Sequence, residues 1–200
     1  METMSISEYN RLVSKGLKIS NEECVLKNTL SNAAGMRFET DIKKACIGYQ
    51  TKGQAVINKV SEPYRVLRKN KDGSFYGRFI GRAEPDFKGV LAGGRAVAFE
   101  AKYTSKTRIQ KSAVTEEQNE WLEEQYSMGA VVFVCVFIRE WAFSVPWQIW
   151  RDMKLIYGKK FLMAEDIKRF RVDYNLDGVK FLEYMDGGDY LGVNNPSVTS

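Results

Sequence analysis

The chain has 200 residues, 44% of them hydrophobic, with a formal net charge of +5 and an isoelectric point near 9.0. That length and apolar content suffice for one core with small appendages, and the basic balance favours an anionic partner. There is no histidine, which excludes imidazole-bound zinc hydrolysis and a histidine general base. Cys24, Cys46 and Cys135 are an odd, widely spaced set that fits neither a zinc knot nor a disulfide framework and suits a reducing cytoplasm.

No charged-then-apolar leader opens the chain, and the longest apolar run, Ala130 to Ile138, is too short to span a bilayer. A soluble cytoplasmic protein with no membrane contact is expected. Ser5 to Ser14 reads as a short helix and Lys15 to Ser31 as a polar, loosely packed arm. From Gly35 to Tyr49 the apolar residues Phe38, Ile42, Ala45, Cys46 and Tyr49 recur at helical spacing, which sets Glu39 beside the core-facing stripe. Gln54 to Val60 alternates as a strand.

The next segment is strongly basic. Between Tyr64 and Arg95 stand eight bases, Arg65, Arg68, Lys69, Lys71, Arg78, Arg82, Lys88 and Arg95, against three acids, an excess equal to that of the whole chain. Asn70-Lys71-Asp72-Gly73 is a turn signal, so Tyr64 to Lys69 and Ser74 to Ile80 form two arms of a hairpin. Tyr64, Phe75, Tyr76 and Phe79 interleave with the bases, a combination suited to phosphates and exposed bases, or to a solvated edge whose charges discourage aggregation.

The hairpin leads into Glu84-Pro85-Asp86-Phe87 and then Ala98-Phe99-Glu100-Ala101-Lys102. On a strand, residues two apart share a face, so Glu100 and Lys102 point together, with the small Ala96 and Ala98, while Val97, Phe99 and Ala101 pack the other way. Ala92-Gly93-Gly94 supplies the turn that brings Asp86 in from the neighbouring strand. Two carboxylates and one ammonium then converge, a set suited to Mg²⁺ or Mn²⁺ and to phosphodiester hydrolysis. Equally, a Pro-Asp turn followed by alternating charges on a solvated strand needs no function.

Beyond this strand, Thr115-Glu116-Glu117-Gln118 has the form of a capping box opening a helix through Tyr126 that Gly129 closes. Ala130 to Ile138 reads as a fully buried central strand, paired with Glu140 to Val145. Pro146 starts a helix carrying Trp147, Ile149, Trp150 and Ile156. The remainder mixes short patterns and frays from Gly187. The division expected is an arm over 1–34, a core over 35–157 containing the hairpin 64–80, and an extension over 158–200.

In this order of elements the chain resembles the restriction-endonuclease-like nucleases and, more specifically, the RecU-type Holliday junction resolvases. The residues that carry the resemblance are Gly35-Met36-Arg37-Phe38-Glu39, Gly53 to Lys59 with Pro63, the basic insertion in the position of that family's stalk, Asp86-Phe87-Lys88-Gly89-Val90, Phe99-Glu100-Ala101-Lys102-Tyr103-Thr104, Gln118 with Leu122, and Gly129. The resemblance implies an α/β fold with a mixed central sheet flanked by helices and a projecting basic hairpin. It implies a homodimer that binds four-way DNA junctions and cuts two opposed strands with Mg²⁺ or Mn²⁺, without an organic cofactor. Asp86 and Glu100 would hold metal and Lys102 would stabilise the transition state. Gln118 would complete the ligand set or orient water, although a capping-box role competes for the same side chain. Glu84 stands where the family carries a hydroxyl residue and would add a metal-binding carboxylate, and Glu39 would assist as an accessory acid. Arg65, Arg68, Lys69, Lys71, Phe75, Tyr76, Arg78 and Arg82 would contact DNA. The same core is compatible with another structure-specific nuclease, or with a non-catalytic recombination modulator, against which an intact Asp86, Glu100 and Lys102 argue.

Overall fold

A computed structural model describes residues 21–61, 64–79 and 84–183. The expected short helix at Ser5–Ser14, Arg82 and the frayed end from Gly187 lie outside the described residues.

Helix α1 (Asn21–Thr51) opens the fold and buries Phe38, Ile42, Ala45, Cys46 and Tyr49, the stripe that the sequence shows. It differs from expectation at its start. Residues 21–31, read as part of a loose arm, already belong to the helix, which runs through Gly35 without a break. Leu26 and Leu30 on that first part stay exposed, so no apolar periodicity marks it in the sequence. Gly53, at φ 67, turns the chain out of the helix into β1 (Ala55–Lys59).

Two strands then form an insertion. Among the described residues β2 (Tyr64–Lys69) and β3 (Phe75–Phe79) pair only with each other, with an irregularity between Val66 and Arg68. The main sheet resumes with β4 (Phe87–Leu91) and β5 (Ala96–Thr104), joined by a turn in which Gly93 and Gly94 take φ of 88 and 90. β6 (Arg108–Gln110) follows, then α2 (Glu116–Ser127), β7 (Val131–Ile138) and β8 (Trp141–Pro146). The six-stranded sheet has the order β1-β4-β5-β7-β8 and then β10 (Arg171–Val172). β5 and β7 are parallel, linked by α2, and the other neighbours are antiparallel, so the molecule is mixed α/β.

Each sheet face has its own core. On the α1 face, Phe87, Phe99 and Phe133 stack across three strands with ring centroids 4.9 and 4.4 Å apart. On the other, Val132, Val134 and Val136 of β7 pack with Leu122, Trp147 and Trp150. The expected single helix after Pro146 is two, α3 (Trp147–Arg151) and α4 (Met153–Tyr157), parted at Asp152. Splitting the helix lets Trp147, Trp150 and Met153 all reach this core while Leu155 faces outward.

The segment after Gly158, read as an extension, is packed into both cores. β9 (Phe161–Met163) pairs with β6, and β10 closes the main sheet. A last hairpin of β11 (Tyr174–Asn175) and β12 (Gly178–Val179) sits on α1, where Tyr174 donates to Asp41 and the Leu182 N–H donates to Tyr49 at 3.0 Å. Residues 161–182 thus contribute to the same cores as the segment before Gly158, whereas at 34/35 the helix is continuous and its burial begins at Phe38.

One glycine of the Asp86–Val90 stretch has a plain structural reason. A Cβ on Gly89 would lie 2.0 Å from the Val56 carbonyl oxygen and 2.6 Å from the Ile57 Cα, so the backbone of β1, paired beside it, leaves no room for a side chain. Gly89→Ala is expected to pry β1 from β4 and to lower stability by about 3 kcal/mol, the upper range for overpacking, as read by the midpoint of urea unfolding. An unchanged midpoint would show that the strands part without cost.

Candidate active site

The aromatic stack on the α1 face determines where the polar residues of β5 go. With Val97, Phe99 and Ala101 held in that core, alternation sends Glu100 and Lys102 to the α2 face, as the sequence leads one to expect. Register then places Glu100 opposite Val134 and Lys102 opposite Val136 of the central strand. Glu100 is fully buried and Lys102 is largely so.

Asp86 arrives from the N-terminal end of β4. Its carbonyl accepts from the Val60 N–H at 2.9 Å, its Oδ2 accepts from the Ala101 N–H at 2.9 Å, and its own N–H donates to Glu100 Oε1 at 3.3 Å. The Lys102 ammonium lies 2.9 Å from Glu100 Oε2. Aspartate, glutamate and lysine are thus brought together by two adjacent strands.

Gln118 completes the cluster in a way that the sequence does not show. The capping box is present: Thr115 Oγ1 accepts from the Gln118 N–H, and the Thr115 N–H donates to Gln118 Oε1 at 3.0 Å. The same side chain donates through Nε2 to Glu100 Oε2 at 2.8 Å, and its Oε1 also accepts from Lys102 at 3.3 Å. The two roles that compete in the sequence coexist in the fold, because the amide has an oxygen for the cap and a nitrogen for the carboxylate. Thr115, noticed in the sequence only as a helix cap, sets the direction of that amide.

The other expected residues lie apart from this cluster. Glu84 pairs with Lys88, four residues on, and Glu39 with Lys59 at the end of β1. Arg65, Arg68, Lys69, Lys71, Phe75, Tyr76 and Arg78 are exposed on the β2–β3 hairpin. Arg95, counted with the basic segment, is turned inward to donate to the Gly129 carbonyl at 2.8 Å.

The electrostatics favour an added cation. Burial pushes the Glu100 carboxyl up to about 7, against the pull of Lys102 and with a further push from Asp86. Two carboxylates face one ammonium, and the free lone pairs on them are hard oxygen donors. Among the described residues no cluster of three or more His, Cys, Asp or Glu is poised for a metal ion. A pair of carboxylates still suits Mg²⁺, which keeps several waters and takes substrate phosphate oxygens. The residues present therefore fit the divalent ion that the resemblance implies.

The raised Glu100 value has a stability consequence of definite sign. In the folded chain the carboxyl holds its proton to about pH 7, against an ordinary value of 4.5. Stability is therefore fully present below about pH 4.5 and falls as pH rises through 7. In EDTA, Glu100→Gln should match the parent at pH 4.5 and exceed it at pH 8 by on the order of 3 kcal/mol. Melting curves at the two pH values check this, and a gain that does not depend on pH would show that Glu100 is not held protonated.

The mixed α/β sheet thus carries a buried carboxylate–lysine cluster on its third strand. The family model of Recombination protein U, RecU, matches residues 33–189, and the chain belongs to that family, the Holliday junction resolvases. Among solved structures the chain is similar to Hjc of Archaeoglobus fulgidus, a Holliday junction resolvase from an archaeal hyperthermophile. The identity is 19% and the TM-score 0.38, over 58% of this chain and 75% of that one. No curated protein matches. No helix among the described residues is long and apolar enough to cross a membrane.

Proposed function

We propose that this resolvase hydrolyses phosphodiester bonds of four-way DNA junctions at the Asp86–Glu100–Lys102 cluster, on a restriction-endonuclease-like core, with Mg²⁺ or Mn²⁺ held by the two carboxylates. The observation that carries the reading is Glu100. A fully buried glutamate is costly to maintain in a core, and apolar residues of similar volume pack as well or better. Here it is retained and surrounded by donors that hold it in one orientation.

The chain's own groups then have distinct tasks. The Ala101 N–H fixes Asp86, and Gln118 and Lys102 together fix Glu100 through Oε2, which leaves for a cation the second Asp86 oxygen and a lone pair of Glu100 Oε1 beside the Asp86 N–H. When bound, the divalent ion supplies an activated water and neutralises charge on the scissile phosphate. Lys102, only partly exposed, donates to the non-bridging phosphate oxygen as charge develops there. Gln118 is a positioning residue: its oxygen is committed to the Thr115 N–H, and it offers Glu100 an N–H, which no metal accepts. Glu84, held by Lys88, stays outside the ligand set, and so does Glu39, held by Lys59. Cutting two opposed strands takes two such sites, which we assign to a homodimer. A reducing cytoplasm suits Cys46 and Cys135, both buried thiols, with Cys46 pushed up to about 12 by burial.

The test is cleavage of labelled four-way junction, flap and linear duplex with Mg²⁺, Mn²⁺ or Ca²⁺. Paired nicks in the junction with Mg²⁺ and Mn²⁺ are expected, and none with Ca²⁺. Preferential cutting of the flap would replace junction resolution by another structure-specific activity. Tight junction binding with no cutting under any ion would make the chain a modulator.

A further inference from the structure

We propose that the two-stranded sheet β6–β9 is a second DNA-contact surface, which takes the phosphate backbone of an ordinary duplex arm beside the scissile bond. The proposal rests on the resolvase reading for its substrate and on independent geometry for its place.

The sheet grows out of the catalytic cluster. β5 delivers Lys102, and the chain passes through Thr104 into β6, then returns at Thr115, whose N–H holds Gln118. Both ends of the segment 105–114 are therefore anchored at the site. Arg108 lies six residues beyond Lys102, a reach of at most about 20 Å. One strand of duplex carries a phosphate about every 3.4 Å along its axis, so Arg108 falls within about six nucleotides of the scissile phosphate. The β2–β3 hairpin leaves from the neighbouring strand ends, since the end of β1 and the start of β4 lie at the same end of the sheet as the end of β5. The two insertions thus flank the cluster.

The unit is built as a charged platform and not as a random solvated edge. Ile109 and Leu162 are buried in the second core and pin the sheet down. Alternation then turns Arg108 outward, where its guanidinium stacks on the Phe161 ring at 4.8 Å. Stacking fixes the plane of the guanidinium and leaves its N–H edge for a ligand. Neither Ser105–Val114 nor Gly158–Ala164 contains an acid. Lys159 is paired with Asp166 and Lys111 donates to the Arg151 carbonyl, which leaves Lys106, Arg108 and Lys160 exposed and without a carboxylate partner among the described residues. The Lys111 N–H donates to the Lys160 carbonyl at 2.9 Å, so the two strands carry their cations as one body. One guanidinium held by an aromatic brace, with two exposed lysines in the same unit, matches phosphates and offers no reading of base edges.

The experiment is anisotropy titration in EDTA of labelled linear duplex and labelled junction, over 50 to 200 mM salt, roughly the range in which phosphate contacts show. Changing Lys106, Arg108 and Lys160 together to Ala should lower the salt slope by about 2.7, close to 0.9 per contact, and by the same amount on both DNAs. Arg108→Gln alone should lower it by about 0.9, and serves if the triple variant fails to fold. Unchanged slopes on both substrates, or a loss confined to the junction, would overturn the proposal. Because this reads binding without cutting, it can succeed even where the cleavage test shows an enzyme that prefers flaps.

Discussion

Replacing Glu100 by Ala is expected to abolish junction cleavage, with a rate loss of about a thousandfold or more, while junction binding persists or tightens. The two effects have one origin. In the proposed site the carboxylate is the buried member of the pair that would hold the divalent ion, so its removal would take away a ligand and also a negative charge that repels the incoming phosphate. Glu100→Gln, which keeps the shape and fills the same space, should be nearly as inactive, and this separates lost chemistry from a collapsed site. Lys102→Ala should lose about a hundred- to a thousandfold, and raising Mg²⁺ should not restore it, because a mobile ion does not replace a fixed ammonium 2.9 Å from Glu100. Turnover measured on radiolabelled junctions at saturating metal decides the matter. Cleavage retained by Glu100→Ala would move the chemistry elsewhere on the molecule.

Much of this site is legible in the sequence because its determinants are local. Alternation on β5 separates Phe99 from Glu100 and Lys102, a glycine turn brings Asp86 back alongside, and the capping box announces α2. What is not legible depends on contacts distant in sequence or on the capacity of one side chain. The sequence poses Gln118 as cap or site residue; only the fold shows that Thr115 takes its oxygen while Glu100 takes its nitrogen. Glu84 stands as an added metal ligand only through the resemblance, and in the fold its carboxylate pairs with Lys88, a contact no motif in the sequence marks. The tail has too few residues per element for a periodic signal, and its place comes from partners such as Asp41 for Tyr174 and Tyr49 for Leu182. Gly89 looks like an ordinary small residue until the β1 backbone is paired beside it.

Trimming the hairpin from Arg68 through Arg78 to a short Asn-Gly turn should reduce junction binding far more than duplex binding. β2 and β3 form a sheet of their own, and isolated two-stranded hairpins are marginal in water. This one keeps its shape through its turn: the Asn70 N–H donates to the Ser74 carbonyl at 2.8 Å, Gly73 takes φ 83, and Asp72 accepts from Ser74 through both N–H and hydroxyl. Phe75 and Tyr76 are about half and two-thirds exposed among Arg65, Arg68, Lys69, Lys71 and Arg78, aromatic area that does nothing for the core. A four-way junction has a central opening and bases at the crossover that can unstack, whereas linear duplex offers only its backbone. Stacking interactions worth about 1–3 kcal/mol per base are therefore available on the junction alone, and removing one of them predicts a drop of about five- to a hundred-and-fiftyfold there. Removing the cations weakens binding to both substrates, and each phosphate left without its cation lowers the salt slope by roughly one unit on either DNA. Melting temperature and Mn²⁺ binding at the Asp86–Glu100 pair should survive, because β1 pairs with β4 directly and leaves the hairpin outside the main sheet. Anisotropy titrations on junction and duplex, side by side, give the answer. Equal losses on the two would reduce the hairpin to a general electrostatic arm, and no loss on either would leave it as an edge whose charges guard against aggregation.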